Sequence, residues 1–217
     1  MDNVCVERAM ASKQQQRSEA SYEALIRAAI RQFHEHGYAA TSVDDIVRRT
    51  DYSRGSFYFH FTNKLDCFWH VIAYRQKLRA EWAELPSRRD PRTTSLHQIL
   101  REAGTSLTSS LEGMEGMVLL MVECHQQTRH DEDAQRRLHE IYPPWLEEIA
   151  TFVHGLQEGG WVDPAIDTQV LAARMFAFVE GVSVHQRLYE LGGINLGDVL
   201  IGGLLGLLPP PPEAATA

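Results

Sequence analysis

Apolar residues recur at three- and four-residue steps along most of the chain with polar residues between them, a pattern that predicts helices almost throughout. Tyr22, Leu25, Ile26, Ala29, Ile30 and Phe33 form the first amphipathic stripe, over Ser21 to His36, and Gly37 ends it. Ser42 then precedes Val43, Ile46 and Val47, with Asp45 placed to complete the cap, so a second helix runs from Val43 to Arg49. Arg48 and Arg49 suit the negative end of its dipole. A turn, Thr50-Asp51-Tyr52, follows, in which Asp51 tolerates a left-handed backbone. Ser53 caps a third helix, Arg54 to His60, which is too short, too aromatic and, with Gly55, too weak in propensity to stand alone. Asn63 caps a fourth, whose apolar positions Phe68, Trp69, Ile72, Leu78 and Trp82 carry it to about Leu85, ahead of Pro86 and a loop to Pro91.

Leu96, Ile99, Leu100, Ala103 and Leu107 mark a fifth helix, and Gly113 with Gly116 breaks the pattern before the apolar run Met117 to Val122, which should be buried. Another helix begins near Asp131 and is expected to be interrupted at Pro143-Pro144; Trp145, Ile149, Phe152, Val153 and Leu156 resume the stripe up to Gly159-Gly160. Asp167 caps a long helix to about Leu191, with Val170, Leu171, Met175, Phe178, Val179 and Val182 on its apolar side. The last helix is Asn195 to Leu208, where Gly202, Gly203 and Gly206 weaken propensity but admit a second backbone closely, and Pro209 to Pro212 end it. Met1 to Arg17 has no periodicity, is rich in Gln, Ser and charge, and reads as a disordered, solvated leader.

Two short helices joined by a tight turn, the second presenting Arg, Ser, Tyr and His, form a helix-turn-helix suited to a major groove. Gly37, Thr41, Ile46, Ser53, Arg54, Gly55, Ser56, Tyr58, His60, Phe61 and Lys64 carry a closer resemblance. Over residues 20 to 70 the chain resembles the N-terminal domain of the tetracycline-repressor (TetR-like) family of transcriptional regulators. The turn departs from that family's Ala-Gly and has Thr50-Asp51 instead.

The resemblance implies an all-α protein: a leader (1–17), a three-helix helix-turn-helix DNA-binding domain (18–64), a larger helical ligand-binding and dimerisation domain (65–208) and a disordered tail (209–217). It implies DNA contacts from Thr41, Ser42, Ser53, Arg54, Gly55, Ser56, Phe57, Tyr58, His60 and Lys64. Tyr58 and Lys64 would meet phosphates, Lys64 beside the free amides of a helix start, while Arg54, Ser56 and Phe57 approach bases. It further implies a homodimer on double-stranded operator DNA, paired through the last two helices, with Leu204 in the pairing face. A small-molecule effector would be mostly apolar. Met117, Met121, His125, Trp145, Phe152, Met175 and Phe178 are its candidate lining, with His154 and His185 as further polar groups, and a strongly anionic ligand would need a buried arginine such as Arg174.

Composition changes this picture in three places. The net charge of −8 looks wrong for a nucleic-acid binder, but residues 1 to 64 hold nine Lys/Arg against eight Asp/Glu, so the acidity lies beyond them. Cys5, Cys67 and Cys124 show no Cys-x-x-Cys, which points to a reducing cytoplasm, and no stretch reads as a signal or a membrane span. The alternatives are an all-α enzyme, suggested by ten histidines, and an adaptor that binds only proteins. The first lacks every common catalytic fingerprint, the second leaves Arg54, Tyr58, His60 and Lys64 unexplained, and neither a metal nor a cofactor is expected.

Overall fold

The computed structural model describes residues 2–79, 82–110, 117–189 and 195–212. Among them there are helices and no strand: α1 (Asp2–Ala40), α2 (Val43–Arg48), α3 (Arg54–His60), α4 (Lys64–Arg79), α5 (Leu96–Ser110), α6 (Met117–Gln127), α7 (Glu132–Glu158), α8 (Thr168–Leu188) and α9 (Leu196–Leu207), with a 3-10 turn at Pro86–Arg88. The chain forms two compact units, Met1–Tyr74 and Arg75–Ala217, so the division falls inside α4 rather than before it.

In the first unit α1 already begins at Asp2, where the sequence suggests a leader without structure. No glycine or proline stands between residues 2 and 36, and Ala, Glu, Arg, Met, Lys and Gln dominate, so the helix propagates backwards from its packed part. Gly37 breaks the helical path with φ 84° and ψ 167°, a backbone only glycine adopts at low cost. Leu25, Ile26, Ala29 and Phe33 form the buried face of α1. Phe33 meets Phe68 edge-on at 5.6 Å between ring centroids, Tyr38 lies 5.0 Å from Phe68, and Phe57 lies 5.0 Å from Phe61. Each such ring, fully buried, contributes about 1.5–3 kcal/mol.

The turn between α2 and α3 is closed by Thr50: its hydroxyl donates to the Val47 carbonyl at 2.9 Å and accepts from the Tyr52 amide at 3.2 Å. No described non-glycine residue has positive φ, so Asp51 does not use the left-handed backbone.

The second unit is built on Trp82, Ile99, Phe152, Val153, Leu156, Val162, Leu171 and Leu208. Trp82 is in a turn, and the helical stretch described for α4 stops at Arg79, short of the expected Leu85. Gly113 and Gly116 lie outside the described residues. Met117, Leu120 and Cys124 of α6 are buried but Val122 is exposed, so the apolar run is a stripe and not a buried segment. A more marked difference is α7, which runs 27 residues straight through Pro143-Pro144. Both prolines are exposed, as are His139 and Glu140, whose carbonyls lose their intrahelical donors and can turn to water. Buried Leu138, Ile141, Trp145 and Ile149 hold the helix across that point.

Buried Gln157 locks the α7–α8 connection: its amide donates to the carbonyls of Asp163 (3.0 Å) and Ile166 (2.8 Å), and its oxygen accepts from the Thr168 hydroxyl (2.7 Å). Asp167 caps α8 as the pattern predicts, and Asn195, expected as the first residue of the last helix, caps α9. The described part of α8 ends at Leu188, short of Leu191. At Gly203 the ring of Phe178 approaches so closely that an added Cβ would stand 2.1 Å from it. Leu204, expected in a pairing face, is 9% exposed and packs inside its own unit. Val199, Gly202 and Gly206 form the exposed side of α9.

Candidate functional site

The first unit presents α3 outwards. Ser53 starts the helix by accepting from the Ser56 amide at 3.2 Å, and Phe57, fully buried, anchors it from below. Phe57 therefore cannot approach bases, contrary to the expectation from the motif. Successive residues of a helix turn by about 100°, so the positions opposite Phe57 are Gly55 and Phe59, flanked by Arg54 and Tyr58 on one side and Ser56 on the other. Tyr58 is 49% exposed and Phe59 74%. Gly55 is exposed and has room for a methyl group, with only the Ser53 hydroxyl at 3.4 Å.

Arg54 pairs with Asp44 of α2 at 3.0 Å, both side chains being more than half exposed, and its guanidinium stands 5.9 Å from the Tyr58 ring centre. Ser42 and Asp45 complete a reciprocal capping box, the Asp45 amide donating to the Ser42 hydroxyl and the Ser42 amide to the Asp45 carboxylate. The Ser42 hydroxyl and amide hold the Asp45 carboxyl below the usual carboxylate range. A bond from Arg49 does the same for Glu35, tying α1 to the end of α2.

Three polar residues expected at DNA, Thr41, His60 and Lys64, are bonded within the unit. Thr41 is 3% exposed, and its hydroxyl lies within bonding distance of the carbonyls of Gln32 (3.2 Å) and Gly37 (2.7 Å). His60 meets the Ser21 hydroxyl at 2.8 Å. That hydroxyl also lies 2.9 Å from the Ser18 carbonyl, and both bonds form together only when the hydroxyl donates to the carbonyl and the His60 Nε2–H donates to the hydroxyl. Burial, and after it the neighbouring His70, holds His60 below its ordinary pKa. The Lys64 ammonium donates to the Tyr38 carbonyl at 2.8 Å and lies 4.4 Å from the Tyr38 ring centre, fastening the start of α4 to the end of α1. A second carbonyl at the end of α1, that of Ala39, lies 3.5 Å from the same ammonium. Sequence reasoning missed Asp44, whose pairing with Arg54 spans two helices, and Phe59, whose place opposite Phe57 was the available signal.

In the second unit a groove of about 440 Å³ opens between Val118, Met121, Val122 and His125 of α6, Leu138, Tyr142 and Trp145 of α7, and Phe176, Ala177 and Glu180 of α8. Phe176 lies 5.2 Å from Tyr142 and 6.1 Å from Trp145 between ring centroids. Its volume is in the range of small-molecule sites. Of the expected lining, Met121, His125 and Trp145 are there. Met117 is buried beside them on α6, whereas Phe152 and Met175 belong to the core and Phe178 seats on Gly203. Arg174 and His185 are exposed, and His154 pairs with Glu158 on the surface, so none lines the groove. A second depression, about 540 Å³ among Arg129, His130, Gln135, Arg136 and His139, has a polar wall and lies at the start of α7.

A capped, aromatic-anchored short helix held out on a three-helix base defines a helix-turn-helix DNA-reading unit. Residues 25–71 match the family model described as bacterial regulatory proteins, tetR family. The chain is 25% identical over 174 residues to the HTH-type transcriptional regulator YwcC of Bacillus subtilis (strain 168), covering 79% of this chain and 78% of that protein. With the HTH-type transcriptional regulator SrpR of Pseudomonas putida it shares 34% identity over 67 residues, 31% of this chain and 32% of that one. Among solved structures, regulatory protein TetR from Rhodobacter sphaeroides superposes with a TM-score of 0.63 at 21% identity, over 86% of this chain and 95% of that chain. SmeT, the repressor of the Stenotrophomonas maltophilia multidrug efflux pump SmeDEF, does so at 0.59 and 23%, over 88% and 91%. These structural likenesses extend the common fold beyond α4 to both units.

Proposed function

We propose that this regulator is a repressor that binds a palindromic operator as a homodimer and leaves it when a mostly apolar small molecule occupies the groove of the second unit. The observation that carries the DNA half is the outer face of α3, where Arg54, Gly55, Ser56 and Tyr58 are available around an anchored helix. One such helix reads only a few base pairs, so two copies related by a two-fold axis are needed for a useful site. The exposed side of α9 supports pairing there: Val199, Gly202 and Gly206 leave a flat apolar strip. A soluble DNA regulator of this kind works in the cytoplasm, and no described helix is long and apolar enough to cross a membrane.

Enrichment from random duplexes by the purified full chain tests the reading. The expected product is an inverted repeat with half-sites about one helical turn apart or a multiple of it. Recovery of no preferred sequence would sink the repressor proposal. For the effector, Ala177→Trp should fill the groove and abolish release by any apolar compound that frees the wild type from its operator, with operator affinity unchanged. Unaltered release in that variant would place the effector elsewhere.

A further inference from the structure

Phe59 is the most exposed large apolar side chain among the described residues, at 74%, and it stands at the centre of the outward face of α3. Nothing in the first unit needs it there. Phe57 provides the anchor, Phe61 closes the helix end in the core, and Phe59, three-quarters exposed, meets the neighbouring His60 ring edge-on at 4.9 Å between centroids. An apolar ring on a surface otherwise occupied by Arg54, Ser56 and the Tyr58 hydroxyl is unfavourable in water and gains by burial. It also has no polar atom with which to hold a phosphate, unlike Tyr58 beside it. The one apolar feature that a base pair shows in the major groove is the 5-methyl group of thymine. Gly55, one turn earlier on the same face, carries no side chain, so the helix can lie close enough for the ring to reach the base edges.

We propose that Phe59 reads thymine, by contact with its 5-methyl group, at one position of each half-site. This rests on the assignment of α3 as the DNA-reading helix and adds the base and the atom that are read. Arg54 then supplies polar readout, and Phe59 excludes cytosine, which lacks the methyl group, at a neighbouring position.

The test uses the full-length protein and two libraries. Wild type and Phe59→Ala are each used to enrich random duplexes. Wild type should return a site with a fixed thymine in each half, and Phe59→Ala should return the same site with that one position relaxed. In the wild-type site each thymine is then replaced in turn by deoxyuridine, which removes only the methyl group. One replacement per half-site should weaken wild-type binding by about fourfold, the value of one buried methyl group, and should leave Phe59→Ala binding unchanged. Equal affinity for thymine and deoxyuridine at every position of the wild-type site overturns the proposal, as does a Phe59→Ala protein that keeps the same deoxyuridine penalty. A uniform loss of affinity across all sequences in Phe59→Ala also overturns it, because the ring would then be packing on the backbone. Failure of the wild type to enrich any sequence is a different result, since it removes the DNA-reading assignment itself. Circular dichroism of Phe59→Ala should match the wild type, as befits an exposed position.

Discussion

The two units hold their critical helices in opposite ways. α3 has 7 residues, includes a glycine, and depends on one buried ring and a serine cap. α7 has 27 residues, includes two prolines, and is pinned by a stripe of 11 buried residues. Local propensity disfavours both helices, and tertiary burial overrides it in both. The difference lies in redundancy: α7 has many anchors and tolerates a local defect, while α3 has one anchor and leaves nearly all its remaining surface for contact. A reading head gains exposed chemistry by giving up duplicated support.

The sharpest way to break this contrast is at the single anchor. Phe57→Ala should cost about 3–5 kcal/mol, enough to melt the first unit and abolish DNA binding. Hydrogen exchange should then show lost protection in α1 to α3 with α7 and α8 still protected. Equal loss in both units would mean that they unfold together. Next in size is the double variant Pro143→Ala, Pro144→Ala. Because the helix is already continuous, restoring two amide donors should stabilise the second unit by about 1–3 kcal/mol, read as a higher Tm. A lower Tm would show that the prolines shape the groove wall.

A smaller effect is expected at the reading face. Asp44→Asn releases Arg54 from an exposed, solvent-screened ion pair and removes a negative charge from the face proposed to meet DNA. Affinity for duplexes of any sequence should rise about two- to fivefold, most at low salt, in a filter-binding titration. Unchanged affinity would place Arg54 away from the DNA.

The smallest effect is a pH dependence confined to the first unit. Folded His60 has its pKa below the ordinary value of about 6.5, so as pH falls through that value the unfolded chain takes up a proton that the folded unit refuses. Stability contributed by neutral His60 is therefore present above about 6.5 and lost below it. Asp45 and Glu35, whose pKa values are lowered, contribute above the usual carboxylate range and lose stability only as pH falls through their folded values. Thermal melts of wild type and His60→Gln between pH 7.5 and 5.5 should separate them, the variant having the flatter profile. A variant with the wild-type slope would assign that window to another group.

How much of this was open to sequence reasoning follows the same division. Caps at Ser42, Ser53, Asn63 and Asp167 are readable because a cap is a local bond between neighbours in sequence. The facing of α3 was harder to read: Phe57, Phe59 and Phe61 alternate, and seven residues are too few turns for a period to emerge. The motif therefore places Phe57 outwards and passes over Phe59, the reverse of their burial. The continuity of α7 was hidden because the rule about proline is local, while the burial of Ile141, Trp145 and Ile149 depends on partners distant in sequence. Leu204 was misjudged for a related reason, since α9 is apolar on nearly every side and the pattern alone names no face. Of the groove, the rings were identified as candidates, but core and lining have the same composition, and only the packing assigns Trp145 to one and Phe152 to the other.

The seat of Phe178 on Gly203 acts as a mechanical detent. Sliding α9 along α8 by one turn, about 5.4 Å, would bring Val199 or Leu207 to the point where the ring now rests on a bare Cα, and either side chain would collide with it. Slippage by four residues is thus opposed at this contact in both directions, which couples α8 and α9 into one beam at this point. Any signal that reaches them can tilt the beam or leave it still, while shear is opposed there.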